Sequence, residues 1–325
     1  MSITLEEVLT SLRVVALPMK TKFRGISIRE TALFRGDAGW AEFAPFVEYD
    51  PRECVPWLES AIEEATTNFN NQYRSTIPVN ATVPASDDEV EIEKIISWYP
   101  GVDTVKIKVG TGIKEDLIRI ARVRKILPSA KIRIDVNGSW NVDDAVFNIR
   151  TIYGEVAGNF LEYVEQPVAT LDELRELKER LIVDVKIAGD EVLRKASDPF
   201  ALDLSGAIDV LMIKVAPLGG IKRSLELATH HNLPVVVSSA LESAVGISHG
   251  LRLASAIEKL DYACGLATGA LFEEDLATLP IHNGAMSVNT PVIDDERLER
   301  FAATPERLEW WRNRITEVWK LRRRA

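Results

Sequence analysis

From about Thr76 onward, runs of β-branched and other apolar residues alternate with amphipathic segments, the order expected of successive strand and helix units around a parallel sheet. Eight strands are predicted, over residues 79–83, 104–109, 132–136, 160–166, 183–189, 210–215, 234–239 and 262–267. Several are apolar without interruption, as strands buried on both faces are. Between them, Leu117, Ile120, Ala121 and Arg124 recur at helical spacing within 114–127, and Leu174, Leu177 and Leu181 do so within 172–181. These segments are predicted to form an outer ring of helices. The first 75 residues break the rhythm. Residues 23–34 and 40–46, on either side of Gly36-Asp37-Ala38-Gly39, predict a β-hairpin, and 51–71 predict a helix with proline near its start. The tail turns helical at Thr304-Pro305-Glu306, a favourable cap and first turn, and carries Trp310, Trp311 and Trp319.

A second regularity specifies the architecture. Lys106 and Lys108, Asp135, Glu165, Asp190 and Lys214 each fall at or near the C-terminal end of a predicted strand, in steps of 27 (108 to 135), 30 (135 to 165), 25 (165 to 190) and 24 (190 to 214). One strand, one helix and two short loops of a (β/α)8 barrel of about 250 residues occupy that length. The expected organisation is an α+β domain over 1–75, a (β/α)8-type barrel over 76–284 and a C-terminal segment over 285–325 whose aromatic helix packs on the body, a partner surface being the alternative.

Composition narrows the class. The 325 residues are 46% hydrophobic, enough for a large core, and the net charge of −10 argues against a general nucleic-acid or anionic-membrane surface. The terminal Arg322-Arg323-Arg324 run reads as a solvated helix end. Cys54 and Cys264 are too few for a disulfide framework and lack metal-ligand spacing, so a reducing cytoplasm is the expected compartment. Glu6 and Glu7 stand where a leader would be basic, and no apolar run reaches about 18 residues, so neither secretion nor membrane spanning is expected. A small-molecule substrate is the expected partner, with no obligate protein partner evident.

Lys106 and Lys108 share a face of their strand, which points both into the barrel mouth. Mutual repulsion, partial burial and a nearby metal would lower a lysine pKa from about 10.4 towards neutrality and make a usable general base. Two solvated lysines at a strand end are the alternative. Asp135, Glu165 and Asp190 supply three carboxylates from successive strands, suited to a hard divalent cation such as Mg2+ or Mn2+. Singly, Asp135 reads equally as a turn cap, Glu165 as a loop residue and Asp190 as a helix cap. Lys214 lies in the apolar run Val210-Leu211-Met212-Ile213-Lys214-Val215, where a charge needs either a chemical role or an ion-pair partner. His230, His231, His249 and His282 all miss the strand ends, which disfavours a histidine base.

As a set, Lys106-Ile107-Lys108, Asp135-Val136-Asn137, Glu165-Gln166-Pro167, Gly189-Asp190-Glu191 and Lys214 resemble the enolase superfamily and, within it, the muconate-lactonizing-enzyme-like subgroup. The resemblance spans the whole chain and implies an N-terminal capping domain over the barrel mouth, with the C-terminal segment 285–325 packing back on that domain. It implies metal binding by Asp135, Glu165 and Asp190, with Lys108 as the base. Phe23-Arg24-Gly25, residues 39–50 and Val237-Ser238-Ser239-Ala240-Leu241-Glu242-Ser243 further look like o-succinylbenzoate synthases, particularly their actinobacterial branch. Arg24, Ser238, Ser239 and Gly265 are therefore expected at the substrate, with Asn137, Glu191 and Glu242 in support. Gly39-Trp40 read as hairpin chemistry, and Ser238-Ser239 read as satisfying local backbone groups, remain open alternatives.

The reaction implied is dehydration of 2-succinyl-6-hydroxy-2,4-cyclohexadiene-1-carboxylate to o-succinylbenzoate, a step of menaquinone synthesis. Lys108 would take the proton, Lys106 would tune it, and Lys214 on the opposite side would stabilise the enediolate. Backbone N–H groups after Gly219-Gly220 are a candidate anchor for the succinyl carboxylate. An N-acylamino acid racemase is the rival, because lysines on two faces can exchange an α proton. The segment Cys264-Gly265-Leu266-Ala267-Thr268-Gly269 carries no acid for a dipeptide ammonium. A ligand-binding barrel without turnover is the third reading.

Overall fold

The computed structural model describes residues 3–69, 73–86 and 88–322. Residues 70 and 71 at the end of the predicted 51–71 helix, and Arg323 and Arg324 of the basic run, lie outside the described residues.

The chain opens with α1 (Leu5–Ser11), whose start is fixed by a capping box between Thr4 and Glu7. Three antiparallel strands follow, β1 (Arg13–Phe23), β2 (Ile26–Gly36) and β3 (Gly39–Phe43), in the order β1-β2-β3. The hairpin predicted around Gly36 is β2–β3, whereas β1 was not predicted. Its burial alternates through residues 15–19 and fades towards Phe23, where it leaves the core. Helix α2 (Val55–Thr66) packs Trp57, Leu58 and Ala61 on this sheet.

After β4 (Thr76–Pro78), the strands β5 (Ala81–Val83), β6 (Thr104–Lys108), β7 (Lys131–Asp135), β8 (Leu161–Glu165), β9 (Lys186–Gly189), β10 (Val210–Lys214) and β11 (Val235–Ser238) lie side by side in chain order, all parallel. Helices α3 (Glu89–Ser97), α4 (Ile113–Ile126), α5 (Val142–Ile152), α6 (Leu171–Arg180), α7 (Glu191–Arg194), α8 (Ile221–His231) and α9 (Ala244–Ala256) alternate with them. Seven of the predicted strands are present with ends shifted by a few residues. The eighth, 262–267, is not an extended strand. It contributes two parallel bridges, Val79 with Cys264 and Ser238 with Gly265, which join the two edges of the sheet and close the barrel. Gly265 allows the closure, since a Cβ there would lie 2.5 Å from Ser238 Oγ.

Alternation sorts the side chains. Val105, Ile107, Ile132, Ile134, Val164 and Ile187 face the helices, while Tyr163, Ala188, Val210, Met212, Val236 and Tyr262 cluster on the other side of the strands. The same phase sends Lys106, Lys108, Asp135, Glu165 and Lys214 into the mouth. The tail forms α10 (Asp295–Arg300) and α11 (Pro305–Arg322), and Trp311, Ile315, Val318 and Trp319 of α11 share a core with α2 and the antiparallel sheet. No helix among the described residues is long and apolar enough to cross a membrane.

Candidate active site

Sheet register builds the site. Lys108 on β6 pairs with Asp135 on β7, and Asp135 pairs with Glu165 on β8, so three charged residues stand abreast at one rim. Asp190 follows the end of β9, and Lys214, paired with Ser238, ends β10. Lys106 lies one inward position beneath Lys108. In an eight-stave barrel, β6 and β10 are four staves apart, which sets Lys108 and Lys214 on opposite sides of the mouth.

Each ammonium group finds a carboxylate. Lys106 Nζ lies 3.0 Å from Glu165 Oε2 and 3.2 Å from Asp135 Oδ2. Lys108 Nζ donates to Asp135 Oδ2 at 2.5 Å and to Asn137 Oδ1 at 2.7 Å, and Lys214 Nζ donates to Asp190 Oδ2 at 2.6 Å. Burial opposes the charge of Lys106, but Glu165 and Asp135 outweigh it and hold its pKa well above the ordinary lysine value. The lowering expected of a lysine in this pair is not found at Lys106, because carboxylates and not ammonium groups dominate its surroundings. Burial would raise Asp135, yet Lys108 and Lys106 hold it well below the usual carboxylate range. Asp190 is likewise lowered: burial resists, and Lys214 and Arg194 prevail. Glu165 has to share Lys106 with Asp135, and burial followed by the Asp135 charge pushes its carboxyl up to about 7.

Among the described residues no three His, Cys, Asp or Glu side chains already converge on one point, since the lysines occupy the gaps between the acids. The acids nevertheless suit a hard divalent cation. All three are buried oxygen donors, and Asp190 Oδ1 is buried without a hydrogen-bond partner. The raised Glu165 marks a carboxylate short of positive charge.

The family described as Enolase N-terminal domain-like matches residues 14–65, and Enolase C-terminal domain-like matches residues 93–292. The o-succinylbenzoate synthase of Mycolicibacterium smegmatis is 45% identical over 316 residues, which are 96% of this chain and 96% of that protein. That of Mycobacterium tuberculosis is 45% identical over 322 residues, 98% of this chain and 96% of the other. The chain belongs to the o-succinylbenzoate synthase family of the enolase superfamily. In fold it is similar to muconate lactonizing enzyme from Pseudomonas fluorescens complexed with muconolactone, with a TM-score of 0.75 at 20% identity over 90% of this chain and 98% of that one. It is also similar in fold to N-succinyl Arg/Lys racemase from Bacillus cereus, with a TM-score of 0.74 at 20% identity over 90% of this chain and 97% of that one. Enolase superfamily members generally use a divalent metal.

In this o-succinylbenzoate synthase family member a cavity of about 950 Å³ stands above the charged rim, and Phe23, Arg24, Phe46, Tyr49 and Trp57 enter it from the N-terminal region. The Arg24 guanidinium lies 3.8 Å from the Phe46 ring centre and 3.7 Å from Glu48. Ser238, Ser239 and Gly265 also line the cavity, but the Ser239 hydroxyl donates to Gly265 O at 2.9 Å and lies 2.7 Å from Thr268 Oγ1. The local-backbone alternative thus describes Ser239 as it stands. Asn137, left-handed at φ 54°, links Lys108 to Glu191 Oε1 at 3.2 Å.

One expectation changes. The N–H groups of Ile221 and Lys222, after Gly219-Gly220, donate to Glu63 at 2.5 and 3.0 Å, so they do not face the cavity as a carboxylate anchor. Glu242 is not among the cavity residues; it turns into the seam beneath the loop after β11, where it accepts from Ala240 N at 2.6 Å. Sequence reasoning also missed Arg194, whose Nε lies 3.3 Å from Asp190 Oδ1 and which donates to Glu191 at 2.7 Å. Its spacing of four from Asp190 on a helix was the available signal. Gln166, the middle residue of the Glu165-Gln166-Pro167 motif, holds the neighbouring strand in place. Its Oε1 accepts from the N–H groups of Asp190 and Val192 and fixes the end of β9.

Proposed function

We propose that this protein is an o-succinylbenzoate synthase, a hydro-lyase that converts 2-succinyl-6-hydroxy-2,4-cyclohexadiene-1-carboxylate to o-succinylbenzoate in the cytoplasm as a step of menaquinone synthesis. The observation that carries the reading is 45% identity to synthases over nearly the full chain. Lys108 and Lys214 facing each other across a carboxylate rim give it a mechanism.

Asp135, Glu165 and Asp190 would hold Mg2+ or a similar ion, which as a Lewis acid makes the proton beside a carboxylate easier to remove. Lys108 then acts as the base. Its Nζ takes the proton from ring C1, the C1–H electrons form the C1–C6 double bond, and hydroxide leaves C6. Departure on the same face lets the same ammonium group return the proton, so that water leaves and the ring becomes aromatic. Lys106, held protonated by Glu165 and Asp135, keeps positive charge beside Lys108 at the floor of the site. Lys214 meets the negative charge that grows on the substrate carboxylate from the other side. Arg24, on its aromatic bed of Phe46 and Tyr49, is the candidate partner of the succinyl carboxylate, with Ser238 and Gly265 along the opposite wall. We also propose residues 1–75 as the capping domain, 76–284 as the catalytic barrel and 285–325 as the segment completing the cap.

The test is loss of diene absorbance with Mg2+ and after chelation. Metal-dependent turnover is expected, and Lys108→Ala should lower kcat by about a thousandfold, in the range of general acid–base contributions, with folding intact. Unchanged turnover in that variant would refute the base assignment. The facing lysines also suit proton exchange, so N-succinylamino acid racemisation belongs in the same assay. Racemisation faster than dehydration would make the racemase the main activity.

A further inference from the structure

The β1–β2 hairpin ends over the cavity in the two-residue turn Arg24-Gly25, with φ of 51° and 82°. Below that tip the ladder is interrupted. Pro18 pairs with Ile28 and the next pair is Phe23 with Ile26, so residues 19–22 face residue 27 out of register. The tip therefore draws little support from its own sheet. The lower part of the break is tied to the barrel, where Met19 bridges Phe272 and Lys20 Nζ donates to Ala270 O at 2.9 Å. At the next residue, Thr21 Oγ1 donates to Glu91 Oε1 at 2.9 Å.

Glu91 is the third residue of α3, and its second oxygen accepts from Ser86 Oγ at 2.5 Å. The helix does not need this carboxylate as a cap, because Asp88 accepts from Val90 N and Glu91 N. Ser86 is itself anchored: its carbonyl accepts from Arg119 Nε at 2.9 Å, and Arg119 Nη1 donates to the Lys108 carbonyl at 2.8 Å. One half-buried carboxylate thus joins the hairpin tip to a barrel loop that shares an arginine with the strand carrying Lys108. Two residues beyond Thr21, the Phe23 ring centre lies 6.0 Å from Lys108 Nζ.

We propose that Glu91 is a positioning residue that latches the hairpin tip to the loop between β5 and α3 and so holds Phe23 over Lys108. Substrate has to pass the tip to reach the rim, so the tip opens for entry and the latch sets how much of the free protein is closed. Losing the carboxylate raises the open fraction, and the apparent affinity falls with the closed fraction. The closed complex itself is unchanged, so the effect falls on KM more than on kcat.

The hairpin tip supplies its own readout, because Lys22 and Arg24 are exposed trypsin sites. Limited proteolysis of the full chain is expected to cut after these residues about tenfold faster in Glu91→Ala than in wild type, as local opening controls cleavage. Thr21→Val should fall between the two, and Glu91→Gln, which keeps one acceptor oxygen, should recover part of the protection. Glu93→Ala, exposed on the same helix, is the control and should match wild type. In the diene assay KM should rise about tenfold in Glu91→Ala, as both readouts require when the latch holds the tip about one-tenth open and its loss leaves it about nine-tenths open. Unchanged cleavage at the tip would overturn the latch, and faster cleavage without a rise in KM would overturn its role in substrate binding. The kinetic arm rests on the synthase reading. If wild type fails to turn over the diene, that reading falls, and proteolysis still decides the latch.

Discussion

At the scale of single residues, the site was legible wherever chemistry coincides with strand register. Lys106, Lys108, Asp135, Glu165 and Lys214 share an alternation phase that the apolar neighbours fix, so one correct strand assignment places each of them. Their pairing was not legible, because it depends on which oxygen each ammonium reaches. Lys214 illustrates the gap. Its Nζ is 2.6 Å from Asp190 Oδ2, so the ion-pair reading and the catalytic reading describe one geometry. They separate on substitution. If Lys214 stabilises charge in the transition state, Lys214→Ala lowers kcat by about a hundredfold or more, the scale of losing one stabilising donor, while KM changes little. Steady-state kinetics with metal present provides the check, and an effect confined to KM would leave Lys214 only its ion pair.

Whole elements were predicted where burial is regular and missed where the chain serves two neighbours. Seven barrel strands keep a continuous apolar face, but the closing segment offers only Cys264 and Gly265 to the two sheet edges, too short a stretch for a pattern to form. Helix α8 shows the same limit. Gly219-Gly220 ahead of it has the sequence of an anion site, and the anion is already present as Glu63 from α2. A Cβ on Gly220 would overlap the Glu63 carboxylate and displace it from these N–H groups, and φ there is 108°, so glycine serves both the turn and the contact. A carboxylate on two free N–H groups at a helix start contributes about 1–2 kcal/mol. Glu63→Ala should therefore lower the urea midpoint by that stability difference, with the denaturant slope unchanged. No shift in midpoint would mean that solvent satisfies those groups equally well.

The molecule as a whole is held together across a seam that carries unusual charge. Glu42 on β3 reaches the start of α9, where it accepts from the N–H groups of Ser243 and Gly246 and from the Ser243 hydroxyl. Glu64, Glu242 and Asp275 lie around it, with Arg29 donating to the carbonyls of Leu241 and Ala44. Burial, reinforced by Glu42, pushes Glu242 up to about 7, and burial pushes Asp275 up to about 7 as well. None of this was readable from the chain, since four acids distant in sequence meet only when the two bodies dock. The sign of the pH dependence follows. The folded seam binds protons that the unfolded chain has already lost above pH of about 4, so these groups favour folding at low pH. That contribution fades as pH rises through about 7. Asp135 and Asp190, which are lowered, act in a separate and more acidic window. Glu165 shares the upper window, so the wild-type slope alone does not isolate the seam. Glu242→Gln does, because the amide oxygen still accepts from Ala240 N and carries no charge at any pH. Urea unfolding in the presence of a chelator should show wild type losing stability between about pH 4.5 and 7, and Glu242→Gln losing less. The variant should match wild type at the acidic end of that range and exceed it at the alkaline end. Parallel curves would mean that the Glu242 carboxyl ionises near its ordinary value and that water reaches the seam.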